Sequence, residues 1–242
     1  MTITTTDTRF EWRELPARER VPKFALTGVV LFSLGVIWAL IIATNTSSFD
    51  SGEGGLSRWL FDLGAHAPIH DVSYWLSWVG AGARTVPIVL TVAVLLLVFG
   101  RWRWSLFLLV SSQAGFLISN TLKHIVGRTR PPWTSLSPDQ IGTSFPSGHT
   151  YAGVTGWVAM GLIALYLFPK PISTITGTIL IVIGLLNGPS RFLLGKHWPS
   201  DVLGAWLLAS GWLLLVWSAF LWFWAPRPKL PIEANAPPID AV

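Results

Sequence analysis

An all-α bundle of six membrane-crossing helices is the fold class this sequence predicts, and three observations carry the prediction. Of 242 residues, 51% are hydrophobic and only 12% charged, and the mean hydropathy is +0.54. Soluble domains carry about 25% charged residues, so this composition is one solvated by lipid. Five runs, Phe24–Phe49, Trp104–Leu122, Thr150–Pro169, Ile172–Ser190 and Val202–Pro226, contain no Asp, Glu, Lys or Arg. The basic residues collect between those runs, where loops at a membrane surface would lie.

The elements follow in chain order. Residues 1–23 are polar and charged and read as a cytoplasmic tail. The first apolar run is too long for the core of a signal peptide and reads as an uncleaved anchor. A helix needs about 20 mainly apolar residues to cross a bilayer core, and each of the five runs is long enough. The outer segment Ser47–Gly82 has helical patches around Leu56–Leu63 and Val72–Val79. Its Trp59, Leu60, Leu63, Trp75, Leu76 and Trp78 are expected to lay an apolar face on the membrane surface. A shorter run, Thr85–Gly100, supplies the second span by reaching back past Arg84 into Val79–Ala83, since a terminal Arg can extend to the interface. The third span ends near Val126, because Pro131-Pro132 cannot continue it. Ser147 is placed to cap the fourth, Ser190-Arg191 ends the fifth, and the sixth begins near Pro199. Residues 24–226 form one membrane domain, and the Pro- and Ala-rich residues 227–242 read as a disordered cytoplasmic tail.

Orientation follows from the cations. With the N-terminus inside, ten of the 17 Lys and Arg residues are cytoplasmic and seven lie outside. Both short inner loops, Arg101-Trp102-Arg103-Trp104 and Pro169-Lys170-Pro171, are basic, as the positive-inside rule requires. The pI near 10 is then a consequence of topology and excludes a nucleic-acid reading. Trp102, Trp104, Trp222 and Trp224 fall where an interfacial aromatic belt would lie. The chain has no cysteine, which excludes disulfides and thiolate metal sites.

The outer cations need their own explanation. Lys123 and Arg130 are seven apart and share a helical face if the helix persists, with Arg128 between them. Ser144-Phe145-Pro146-Ser147-Gly148-His149-Thr150 opens the fourth helix, whose free N–H groups form an anion site. Arg191, then His197 and Asp201, follow the fifth. The parity of six spans brings all three segments to one membrane side. Each has a bland reading: an anchoring cation, a capped turn, an acid at a helix start. None of these explains three cations, two histidines and an acid gathered at one end of a bundle, where ionisable groups are costly unless functional. His66, His70 and His124 belong to no such set and read as structural.

Lys123-x6-Arg130-Pro131, Pro146-Ser147-Gly148-His149 and Ser190-Arg191-x5-His197-x3-Asp201 together resemble the three-part signature of the type 2 phosphatidic acid phosphatase superfamily, complete in order and spacing. The resemblance implies an integral membrane lipid phosphatase with its site on the outer face and both termini inside. It implies that Lys123, Arg130, Arg191, Ser147 and Gly148 bind phosphate. By the same analogy His197 attacks phosphorus to form a phosphohistidine, Asp201 holds its other ring nitrogen, and His149 protonates the leaving oxygen. No metal or other cofactor is expected, because the site is cationic and Mg²⁺ sites carry more acids; Asp139 alone makes a poor cage. The expected partners are a lipid phosphate substrate and the membrane lipids. A polyprenyl pyrophosphate is favoured, with phosphatidic acid or phosphatidylglycerol phosphate as alternatives, and a tail is expected to enter between the third, fourth and sixth helices. A second class stays open: a non-catalytic lipid-phosphate binder or translocator.

Overall fold

The computed structural model describes residues 14–133 and 142–225. The expected cytoplasmic tail at 227–242, most of that at 1–23, and Asp139 lie outside the described residues. Among those described, eight helices form and no strand does. A single 3-10 turn, Arg18–Arg20, leads into α1, Val21–Thr44. Then come α2, Thr46–Gly64, α3, Ile69–Val79, and α4, Gly82–Val98. The remaining four are α5, Trp102–Val126, α6, Gly148–Leu167, α7, Ile172–Leu193, and α8, Pro199–Trp224.

Five helices are long and apolar enough to cross a membrane: the first, which begins at Arg18, and α5 to α8. The sixth candidate is the bent pair α3 and α4, joined at 53°. The second span is therefore short, as its sequence suggested, and the bend falls at Gly80–Ala81, just before Arg84. The outside of the bundle inverts a soluble surface, with Leu26 66% and Phe223 71% exposed. Lipid is the solvent that makes such exposure favourable, and the chain is a multi-pass membrane protein. Trp59, Trp75 and Trp78 are exposed on α2 and α3, as an interfacial face requires. Leu76, expected beside them, is instead buried.

Close helix contacts set the position of the site. α1 runs along α8, and a Cβ at Gly211 would sit 2.4 Å from the Phe32 backbone nitrogen. α6 and α7 touch backbone to backbone: a Cβ at Gly153 would lie 2.3 Å from the Gly184 carbonyl oxygen. Glycine at both positions removes the side chains that would hold these helices apart. Gly153 is one turn beyond His149 and Gly184 is two turns before Arg191, so this contact draws the two residues together. At the opposite end Trp104, Phe107, Trp217 and Phe220 form an aromatic core, with Trp104 and Phe220 centroids 4.6 Å apart. Trp104 thus leaves the expected belt for the core, because Tyr166 stacks on it, while Trp102 and Trp222 stay exposed.

Candidate active site

The site forms where the connection between α5 and α6 meets the connection between α7 and α8. α5 stops at Gly127, which takes φ +61°, a left-handed conformation cheap only for glycine. Lys123 and Arg130 therefore do not share a helical face; the turn brings them together instead. Lys123 Nζ donates to the carbonyls of Thr143 at 3.2 Å and Pro146 at 2.7 Å, tying the end of α5 to the loop before α6. Arg130 donates to the carbonyls of Gly142 at 3.0 Å and Lys196 at 2.6 Å. Gly195, with φ +65°, turns the chain from α7 toward His197.

His197 is 2% exposed. Its Nε2 lies 3.2 Å from Arg130 Nη1, and its Nδ1 lies 3.4 Å from both Asp201 Oδ2 and Ser144 Oγ. A guanidinium only donates, so Nε2 accepts and the ring proton sits on Nδ1, facing Asp201. Burial, and then the charges of Arg130, Lys123 and Arg191, push the imidazole well below the ordinary histidine range. His197 is a neutral base whose Nε2 lone pair faces Arg130. Asp201 Oδ2 also accepts from the Trp198 amide at 3.0 Å and from the Ser144 hydroxyl. Asp201 thus serves both as the acid at a helix start and as a partner of His197.

Arg191 is 4% exposed; one nitrogen donates to Ser77 Oγ, and its Nε has no partner among the described residues. His149, half-buried at the start of α6, lies close to His197 and to the cations Arg191, Lys196 and Arg130. Ser147 occupies the N-cap position, but its buried hydroxyl accepts from Thr150 at 2.9 Å instead of capping the backbone. The first-turn N–H groups, Gly148 among them, thus have no side-chain cap and remain available to an anion.

The acids go elsewhere. Arg128 ion-pairs with Asp50 at 2.9 Å, Glu53 at 2.5 Å and Asp201 at 2.8 Å. Among the described residues, Lys123, Arg130 and Arg191 form no carboxylate ion pair. Sequence reasoning missed Asp50, Glu53, Ser144, Ser77 and Ser200, and left Arg128 without a role. The one local signal was the pair of acids three apart on α2, which share a helical face.

Beside Lys123 and His149 opens a cavity of about 200 Å³ between α4, α5 and α6. Its far wall is apolar, with Val86, Val89 and Phe116. The expected gap between the third, fourth and sixth spans is thus replaced by one between the second, third and fourth. Two π-helical turns, Val110–Ala114 and Gly153–Val158, contribute Gln113 and Thr155 to it. Such turns widen a helix locally and recur at functional sites.

Comparison with known proteins agrees with this geometry. The family model of the PAP2 superfamily matches residues 102–225. The undecaprenyl-diphosphatase of Sulfolobus acidocaldarius is 31% identical over 71% of this chain and 74% of its own length. The phosphatidylglycerophosphatase B of Bacillus subtilis is 26% identical over 74% of this chain and 88% of its own. The crystal structure of a transmembrane PAP2-type phosphatidylglycerolphosphate phosphatase from Bacillus subtilis superposes with a TM-score of 0.63 at 26% identity, covering 80% of this chain and 94% of that one.

Proposed function

Because the chain belongs to the PAP2 superfamily, we propose that it is a membrane lipid phosphatase acting through a phosphohistidine, with a polyprenyl pyrophosphate as its preferred substrate. One observation carries the reading. Lys123, Arg130 and Arg191 gather near a neutral histidine and form no carboxylate ion pair among the described residues, while Arg128 takes the nearby acids. Cations held out of water without a counter-ion are costly, and an anionic substrate offsets that cost.

The three cations hold the phosphate oxygens, with Arg suited to a two-pronged grip. The Gly148 N–H and Ser147 hydroxyl donate where charge develops. His197 Nε2 attacks phosphorus, forming the N–P bond as the P–O bond to the leaving group breaks. Asp201 balances the positive charge that the ring acquires. His149 gives its proton to the leaving oxygen, then takes one from the water that cleaves the N–P bond and releases phosphate. The protein's own cations supply the charge, so the mechanism needs no cofactor.

The site faces outward and both termini are cytoplasmic, a topology supported by the two basic inner loops. The cavity beside Lys123 receives the start of a lipid tail. Three cations match the larger charge of a pyrophosphate. The relatives named for undecaprenyl diphosphate and for phosphatidylglycerol phosphate supply the two leading substrates. The test is kcat/KM for a polyprenyl pyrophosphate, phosphatidylglycerol phosphate, phosphatidic acid and a soluble aryl phosphate in one detergent. Equal efficiency on the aryl phosphate refutes the lipid preference. An advantage of about tenfold, or roughly 1.4 kcal/mol in the barrier, for either diacyl lipid moves the substrate to that class.

A further inference from the structure

Arg128 is the most enclosed cation at the site, 1% exposed, and its surroundings differ from those of its three neighbours. A guanidinium has five N–H donors, and all five are engaged. Nε donates to Asp50 Oδ1 at 3.0 Å. Nη1 donates to Ser200 Oγ at 2.6 Å and Asp201 Oδ1 at 2.8 Å. Nη2 donates to Asp50 Oδ1 at 2.9 Å and Glu53 Oε1 at 2.5 Å. The Trp198 ring covers the group, 5.2 Å from the guanidinium carbon. Nothing is left over with which to bind a phosphate oxygen.

We propose that Arg128 is a positioning residue for the reaction, clamping Asp201 against His197, and that Asp50 and Glu53 of α2 hold the clamp in place. The proposal rests on the phosphatase reading for its chemistry. Asp201 is fully buried, and a buried carboxylate needs a paired cation. The phosphate-binding cations cannot be that partner without losing the substrate. Arg128 meets the need on Oδ1, which leaves Oδ2 to face His197 Nδ1. Glu53 reaches past it to α8, accepting from the Ser200 amide at 3.0 Å and from the Ser200 hydroxyl. The start of α8, which carries Asp201, is thereby tied to α2 on the far side of the site. Burial works against the charge on Arg128, but Asp201, Glu53 and Asp50 outweigh it and hold the guanidinium protonated more firmly than usual.

The experiment uses the full chain in detergent with ¹⁵N-labelled histidine and the variants R128Q, R128K and E53Q. R128Q is expected to lower kcat by roughly 10–100-fold, the scale on which outer partners of a functional histidine act, with KM for a polyprenyl pyrophosphate within about twofold. It should also weaken the downfield His197 Nδ1–H signal, and R128K should recover part of both. A raised KM with unchanged kcat overturns the proposal, since it would make Arg128 a phosphate ligand. An intact Nδ1–H signal in folded R128Q also overturns it, since a purely structural role would leave that bond in place. If R128Q does not fold, E53Q decides: a smaller fall in kcat at constant KM supports the clamp, and wild-type kcat sinks it. If the wild-type chain releases no phosphate, the phosphatase reading falls, and the Nδ1–H signal alone decides whether Arg128 positions Asp201.

Discussion

Replacing Arg191 with methionine should make the protein more stable and nearly inactive. Arg191 is 4% exposed, has no carboxylate partner among the described residues, leaves Nε unpartnered and donates to Ser77. Methionine has comparable length and is apolar. The substitution removes a buried, unsatisfied charged group, whose desolvation costs about 1–3 kcal/mol or more. Against that, Ser77 loses a partner, at about 1 kcal/mol. The net expectation is a gain of about 0–2 kcal/mol, or up to roughly 8 °C in Tm for a chain of this size. Activity should move the other way, falling about 10²–10³-fold in kcat, as when one donor to a transition-state anion is lost. The assay is thermal unfolding in phosphate-free buffer, followed by tryptophan fluorescence, alongside phosphate release. Inorganic phosphate or vanadate should raise the Tm of the wild type and raise that of R191M less, because a bound anion stabilises only through sites that hold it. A Tm for R191M several degrees below wild type without anion would mean that Arg191 is already compensated in the native state, contrary to this expectation.

Four further outcomes are expected. Burial first, and then the neighbouring cations, lower the His197 pKa. Its imidazole should thus stay neutral as pH falls past about 6.5, while the unfolded chain takes up a proton. Stability therefore declines as pH drops from about 6.5 toward the depressed native value, and an imidazole ¹⁵N signal lost in H197Q and protonated with an ordinary midpoint would contradict this. Activity should survive EDTA, because Asp50, Glu53 and Asp201 are committed to Arg128; loss restored by Mg²⁺ would reverse the reading. Cysteine introduced at exposed His66 should react with an impermeant thiol reagent in intact cells, and one at exposed Arg101 should not; the opposite pattern inverts the topology. Ala152→Phe fills the cavity between α4, α5 and α6, so it should cut kcat/KM about tenfold or more for the lipid and leave a soluble aryl phosphate within about twofold. An equal loss on both would place the tail elsewhere.

The spans were legible because lipid imposes one crude demand, an apolar run of sufficient length, and charge-free sequence displays it directly. The same crudeness explains the weak second span. α4 is 17 residues long, and the chain makes up the distance with α3 across a 53° bend, which no count of apolar residues can foresee. The signature residues were legible for a different reason: each lies within a few residues of a helix end, where spacing controls position. Spacing misled only where the backbone leaves the helix, at Gly127, so Lys123 and Arg130 converge through a left-handed turn and not along a face. The acids of α2 had no such local rule. Asp50 and Glu53 are 78 and 75 residues from Arg128, and on their own helix they look like ordinary solvated acids. Charge balance is the principle that could have pointed to them. A buried carboxylate needs a paired cation, and for Asp201 that cation is Arg128. The signature contains a single carboxylate, so the other acids around Arg128 had to come from outside it, and α2 supplies them as Asp50 and Glu53.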